Sequence, residues 1–93
     1  IDKSEEKFFF FFKNENIKIE KIVSNGQKSP DNFWYEQEKS EYILLLSGYA
    51  ILGFEDFEIE LFKGDCLNIE AFKKHRVKFT SLDEPTIWFA VFY

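Results

Sequence analysis

The sequence has one cysteine, one histidine, two prolines, four glycines and no methionine. Several of these scarcities exclude something. The single cysteine, Cys66, cannot close a disulfide within the chain and forms no zinc-ribbon pattern. Set among strand-like residues, it is expected as a small buried hydrophobe in a reducing cytoplasm. Basic residues are the minority, 12 against 17 acidic ones, giving a formal net charge of -5 and a pI near 4.9. Nucleic-acid-binding surfaces are basic, so that partner is not expected, and the pairs Lys73-Lys74 and His75-Arg76 are too local to reverse this. The stretch most like a leader, "KFFFFFK" at 7–13, has five apolar residues. That is shorter than a signal-peptide core and far short of a membrane span, and no small-residue cleavage site follows it, so no membrane contact is expected. The sequence begins at Ile1 rather than Met, so further N-terminal residues are expected in the whole protein. It has no glycine-rich phosphate loop, no nucleophile elbow and no Cys–His pair at a useful spacing.

What remains is a short, aromatic, globular chain. Its 93 residues suit one domain, 1–93, with one modest core. Hydrophobic residues make up 45% and aromatic residues 20%, with 13 Phe. The few glycines and prolines mark turns: "SNGQKSPDN" at 24–32, Ser47-Gly48, Lys63-Gly64-Asp65 and "SLDEP" at 81–85, with Glu55-Asp56 as a further turn. Between them lie short runs rich in Phe, Ile, Val, Tyr and Trp. Strands are predicted at 7–13, 17–23, 33–37, 41–47, 49–55, 57–62, 66–70, 75–80 and 86–93, and no helical stripe exceeds two turns. The fold class is therefore all-β, an antiparallel barrel or two-sheet sandwich.

Alternation sorts the strand faces. Phe57, Ile59 and Leu61 are expected on one side of their strand, with Glu58 and Glu60 opposite. His75, Val77 and Phe79 are expected to share the inner face, with Arg76, Lys78 and Thr80 outside. Glu41 falls with Ile43 and Leu45, but Tyr42, Leu44 and Leu46 on the reverse are apolar too, and 86–93 is apolar on both faces. A small barrel has little chain left to cover such outer faces, so a homodimer is expected, with the Phe run contributing. In "IKIEKIVS" the apolar phase slips between Ile19 and Ile22, which predicts a bulge at Glu20-Lys21.

Two ionisable side chains, Glu41 and His75, thus sit on otherwise apolar faces, where a charge is costly unless it is paired or bound. Their sequence settings are informative. Six residues separate Glu41 from Gly48, and Gly64 opens "GDCLNIEAFKKHRVKF", which contains His75. Between them, "YAILGFEDFEIELFK" suits two strands and a tight turn. In these respects the chain resembles a small single-domain cupin from about residue 17 to 93. The first cupin motif runs His-x-His, three or four residues, Glu, six residues, Gly. The second runs Gly, five residues, Pro-x-Gly, two residues, His, three residues, Asn. Here Tyr35 and Gln37 stand at the two histidines of the first motif when the shorter spacing is taken; the longer spacing offers Trp34 and Glu36. Glu70, Phe72 and Phe79 stand at the second motif's Pro, Gly and Asn.

The resemblance implies a jelly-roll β-barrel, the cupin double-stranded β-helix, with a pocket in its mouth. Cupins that bind metal hold Fe, Mn, Ni, Zn or Cu with three His and one Glu. Only Glu41 and His75 match that set, with Gln37 as a third, weaker donor; an amide oxygen is a poor ligand and a tyrosine binds well only when deprotonated. The expectation is a divalent ion (Zn, Fe, Mn or Ni) held weakly or not at all, at Glu41, His75 and Gln37. The wider ligand pocket is expected to comprise Tyr35, Gln37, Glu41 and His75 and to take a small polar molecule. The alternative is a non-catalytic homodimeric interaction module with no working metal site. Fold does not choose between enzyme and binding protein.

Overall fold

A computed structural model describes residues 5–93. Eight strands run in chain order: β1 (Lys7–Lys13), β2 (Lys18–Ser24), β3 (Glu41–Ser47), β4 (Tyr49–Phe54), β5 (Glu58–Phe62), β6 (Cys66–Ile69), β7 (His75–Thr80) and β8 (Thr86–Phe92). They form two antiparallel sheets, one of five strands in the order β1-β2-β8-β3-β6 and one of three in the order β5-β4-β7. The fold is all-β and of the jelly-roll type, and among the described residues no hydrogen-bonded ladder joins the two sheets.

The facing sides of the sheets make the core. Ile43, Leu45, Ala50, Leu52, Phe54, Leu61, Ile69, Trp88 and Ala90 are all buried there. On β3 the alternation holds: Ile43 and Leu45 are buried, while Tyr42 and Leu46 are exposed. Chain reversal between β3 and β4 rests on Gly48. Its φ is 85°, and a Cβ there would lie 2.6 Å from the Cα of Thr86 and 2.8 Å from the carbonyl oxygen of Pro85. Only glycine meets both conditions at low cost.

Several expectations need correction. Residues 33–37 form no strand. Tyr35 alone bridges to His75, and the rest of the segment is loop. The slip near Glu20 exists, but its extra residue lies in β1: Phe10 pairs with Glu20 and Phe12 with Ile19, leaving Phe11 as the bulge, while β2 pairs with β8 without a break. The inner face of β2 therefore carries Glu20, Ile22 and Ser24, not Ile19.

On β7, Val77 pairs with Leu52 and Phe79 with Ile51, so Lys78 is a bulge. His75 and Val77 face the interior and Lys78 faces out, but the bulge turns Phe79 outward and brings Thr80, 1% exposed, inside. Phe57 precedes β5 and is exposed, stacking on Phe54 with ring centroids 4.8 Å apart. Cys66 is exposed as well, because it pairs with Leu44 on the outer side of the sheet.

Candidate functional site

Glu41 opens β3 and His75 opens β7, so the two sheets each bring one ionisable residue to the same end of the sandwich. Two loops complete that end. Residues 33–37 lie across it, held by a pair of backbone bonds, from Tyr35 N–H to the His75 carbonyl at 2.7 Å and from His75 N–H to the Tyr35 carbonyl at 3.1 Å. The turn before β7 is tied to the same loop, because Phe72 N–H donates to the Gln37 carbonyl at 2.8 Å. This turn requires an unusual backbone: Phe72 has φ 65°, in the left-handed region where glycine is at ease and bulky residues are strained.

All four sequence-predicted pocket residues meet on one cavity. Tyr35, Gln37, Glu41 and His75 line it, with Ile43, Leu52, Ile69, Val77 and Trp88 as part of its apolar wall. Its volume is about 220 Å³. His75 is buried, and its Nδ1 lies 2.9 Å from the carbonyl of Lys73. A carbonyl only accepts, so Nδ1 carries a proton, and in the neutral ring Nε2 is left with a lone pair. Nε2 faces Glu41 Oε1 at 3.7 Å. The same Glu41 oxygen accepts from Gln37 Nε2 at 3.1 Å. Tyr35 stacks on the imidazole, with centroids 5.6 Å apart and planes 27° from parallel.

Electrostatics tune the pair. Burial works against the charged form of His75, but the Glu41 carboxylate and the Lys73 carbonyl outweigh it, and the pKa lies above the ordinary histidine value. Burial, the charges of Glu6 and Glu41, and the opposing hydrogen bond of Ser29 leave the Tyr35 phenol harder to ionise than usual. A tyrosine that stays protonated is a poor metal ligand.

Two carboxylates that sequence reasoning missed also line the cavity, Glu20 and Glu6. Glu20 is 4% exposed, on the inner face of β2. Its pKa is raised by burial first, with Lys18 opposing and Glu41 adding to the rise. Glu6, just before β1, accepts a hydrogen bond from Ser24 Oγ at 2.6 Å, and Ser24 Oγ in turn accepts from Trp88 Nε1 at 3.2 Å. The signal for Glu20 was its spacing from Ile22 and Ser24, two and four residues on, but a glutamate between two lysines reads as solvated.

The donor chemistry does not suit a firmly held ion. Among the described residues no group of three His, Cys, Asp or Glu side chains is placed to hold a metal. Gln37 turns its NH₂ toward Glu41 rather than adding an oxygen to a shared centre. What the arrangement offers is a basic nitrogen and a carboxylate facing one another across a small gap, in a mostly apolar chamber. Such a pair can hold or move one proton.

No family model matches the chain, and no curated protein sequence does either. Solved structures do. The chain is 37% identical to a protein of Ralstonia eutropha JMP134 proposed to be a mannose-6-phosphate isomerase, with a TM-score of 0.92 over 96% of this chain and 84% of that one. It is 17% identical to a cupin superfamily protein of Desulfitobacterium hafniense DCB-2, with a TM-score of 0.83 over 99% of this chain and 80% of that one. The cupin domain of Schizosaccharomyces pombe Cnp3 is 12% identical, with a TM-score of 0.82 over 99% of this chain and 63% of that one.

Proposed function

The chain belongs to the cupin superfamily, and from that premise we propose that it binds a small polar molecule in the barrel mouth, with Glu41, His75 and Gln37 as the polar anchors. The observation that carries this reading is the convergence on one cavity of a buried His75 and Glu41, 3.7 Å apart. Burying two ionisable groups is expensive. Here the cost is met at the mouth of a chamber, where a ligand can bond to both. Tyr35 and the loop that carries it form the outer lip.

Chemically, the pair supports proton transfer on the bound molecule. Neutral His75 accepts a proton at Nε2, and the adjacent carboxylate stabilises the imidazolium that results. A second reading, sugar isomerisation, is favoured by the name of the Ralstonia eutropha relative. Such a reaction moves a proton between neighbouring carbons and needs an acid–base group of this kind. Neither reading routes a step through a metal. Protein purified without an affinity tag is expected to retain no stoichiometric transition metal after dialysis against a chelator.

We also propose a homodimer formed through the outer face of the five-stranded sheet. Phe9, Phe11, Tyr42 and Leu46 are exposed there, and a specific interface needs on the order of 1,000 Å² or more.

The test of the site is His75→Ala. It is expected to abolish ligand-induced shifts in the amide NMR spectrum, with the β-sheet circular dichroism unchanged. Undiminished binding by this variant would remove the site.

A further inference from the structure

The walls of the cavity carry one sign of charge. Glu6, Glu20 and Glu41 line it, and among the described residues no lysine or arginine does. Among the described residues His75 is the one lining side chain that can become cationic. Glu20 stands out among the carboxylates: it is 4% exposed and lines the cavity, and its one side-chain partner among the described residues is the Lys18 ammonium. Lys18 Nζ forms an ion pair with Glu20 at 4.0 Å, too long for a hydrogen bond. A buried carboxylate left this way is costly unless something binds it.

The second element is aromatic. Phe8, Tyr35, Trp88 and Phe92 are all lining residues. Aromatic faces attract cations, more strongly where water is excluded. One ammonium already sits in such a setting at the edge of the chamber. Lys18 Nζ lies 4.4 Å from the centroid of Phe92 and 4.0 Å from Glu20 Oε2, and both of those residues line the cavity. One lysine at the edge does not balance three carboxylates inside.

From this geometry we infer that the chamber selects a small organic ammonium ion, held by Glu20 and Glu41 and by the aromatic wall, and rejects anions such as phosphorylated sugars. The inference rests on the reading of the mouth as a ligand site and names the class of ligand it takes. The chamber, about 220 Å³ in volume, suits a small ligand. A phosphate dianion would meet three carboxylates, with only His75 in the lining and Lys18 at the edge to offset them among the described residues. Coulombic repulsion in a partly dehydrated chamber is much stronger than in bulk water.

The experiment compares probes of one shape and different charge. Choline and its uncharged isostere 3,3-dimethylbutan-1-ol are titrated into the intact protein at neutral pH, with mannose and mannose 6-phosphate as further arms. Amide NMR and Trp88 fluorescence report binding. Choline is expected to bind at least tenfold more tightly than the isostere, with shifts at Glu20, Glu41 and His75, and mannose 6-phosphate not to bind at the same concentration. Glu20→Gln is expected to reduce the preference for choline over the isostere several-fold, with circular dichroism confirming the fold. Equal binding of choline and the isostere, or binding of mannose 6-phosphate, would overturn the cation inference while leaving the ligand site in place. No pocket shifts with any of the four probes would overturn both.

Discussion

Two regions of this molecule carry residues in the less comfortable medium. The outer side of the five-stranded sheet puts large apolar groups in water: Phe9, Phe11, Tyr42 and Leu46 are exposed, with Leu44 and Phe89 half-buried beside them. The mouth does the reverse, drawing Glu20, Glu41 and His75 into an apolar chamber. The outer side of the three-stranded sheet is mixed, with Phe62 exposed among charged residues. It carries Glu58, Glu60, Arg76 and Lys78, and these pair with Lys78, the Tyr49 hydroxyl, Asp31 and Glu58 respectively. The contrast separates two kinds of unfinished surface. An apolar face in water is completed by another apolar face. Buried charge at a cavity is, in the reading proposed above, completed by a ligand.

The largest expected effect marks the boundary between outside and inside along one strand. Leu45 is 0% exposed and Leu46 42% exposed, on opposite sides of β3. Leu45→Ala should cost about 2–5 kcal/mol in urea unfolding. Leu46→Ala should cost at most about 0.5 kcal/mol in dilute protein, as exposed substitutions do. Similar losses for the two would mean that the sheet is buried on both sides even in the monomer, and the comparison would collapse.

Next comes a charge placed on the apolar outer face. Leu44→Asp should weaken self-association at least about a hundredfold, some 2.7 kcal/mol, as read by sedimentation velocity across a concentration series. The equivalent insult on the other sheet, Phe62→Asp, should leave the association unchanged. A wild-type protein that sediments as a monomer at micromolar concentration would show that water alone covers this face.

A smaller effect lies in the turn that joins the two loops of the mouth. Phe72 is exposed and has φ 65°. Phe72→Gly should stabilise the fold by about 1 kcal/mol, the cost of holding a bulky residue in the left-handed region less the extra freedom of an unfolded glycine. A loss of stability would mean that the Phe72 ring has a partner, which again points to an interface.

The same turn shows what the sequence could and could not disclose. Its motif places Phe72 where cupins have Gly, and the backbone at that position takes the conformation that favours glycine. Eight of the nine expected strands are present in the fold, because their turn residues and apolar alternation are local signals. The ninth, 33–37, has a strand-like composition, but only Tyr35 finds a partner. Pairing is a tertiary event and leaves no local mark. The bulges at Phe11 and Lys78 escaped for a related reason. Five consecutive phenylalanines show no phase in which an inserted residue could be seen, and "HRVKFT" alternates correctly as far as Val77 before the extra residue flips Phe79. Tyr35, Gln37, Glu41 and His75 were named through the resemblance to the cupin motifs, and all four line one cavity. Glu20 was not, because a glutamate flanked by lysines looks like surface until register with β8 turns it inward.

The smallest expected effect is on pH dependence, and it concerns the charged interior alone. His75 and Glu20 both have pKa values raised in the folded protein, His75 from 6.5 and Glu20 from 4.5. A raised pKa means that the folded state binds the proton more tightly than the unfolded chain, so each group favours folding in its protonated form. The His75 contribution is full below pH 6.5 and is lost as pH rises through the folded value above it. The Glu20 contribution is full below pH 4.5 and is lost in the same direction, over a lower window. Near neutral pH the ionised Glu20 therefore opposes folding, and Glu20→Gln should raise the melting temperature slightly at pH 7. Its advantage over wild type should shrink as pH falls toward 4.5 and wild-type Glu20 takes up its proton. Glu41→Gln removes the carboxylate that favours imidazolium, so the His75 pKa, followed through its ring-proton shifts, should fall relative to wild type. Urea unfolding of wild type and Glu20→Gln from pH 4 to 8 measures the first effect. A Glu20→Gln advantage that stays constant across that range would mean that Glu20 is not the buried acid the fold implies, and Glu41 and His75 alone would then make the charged mouth.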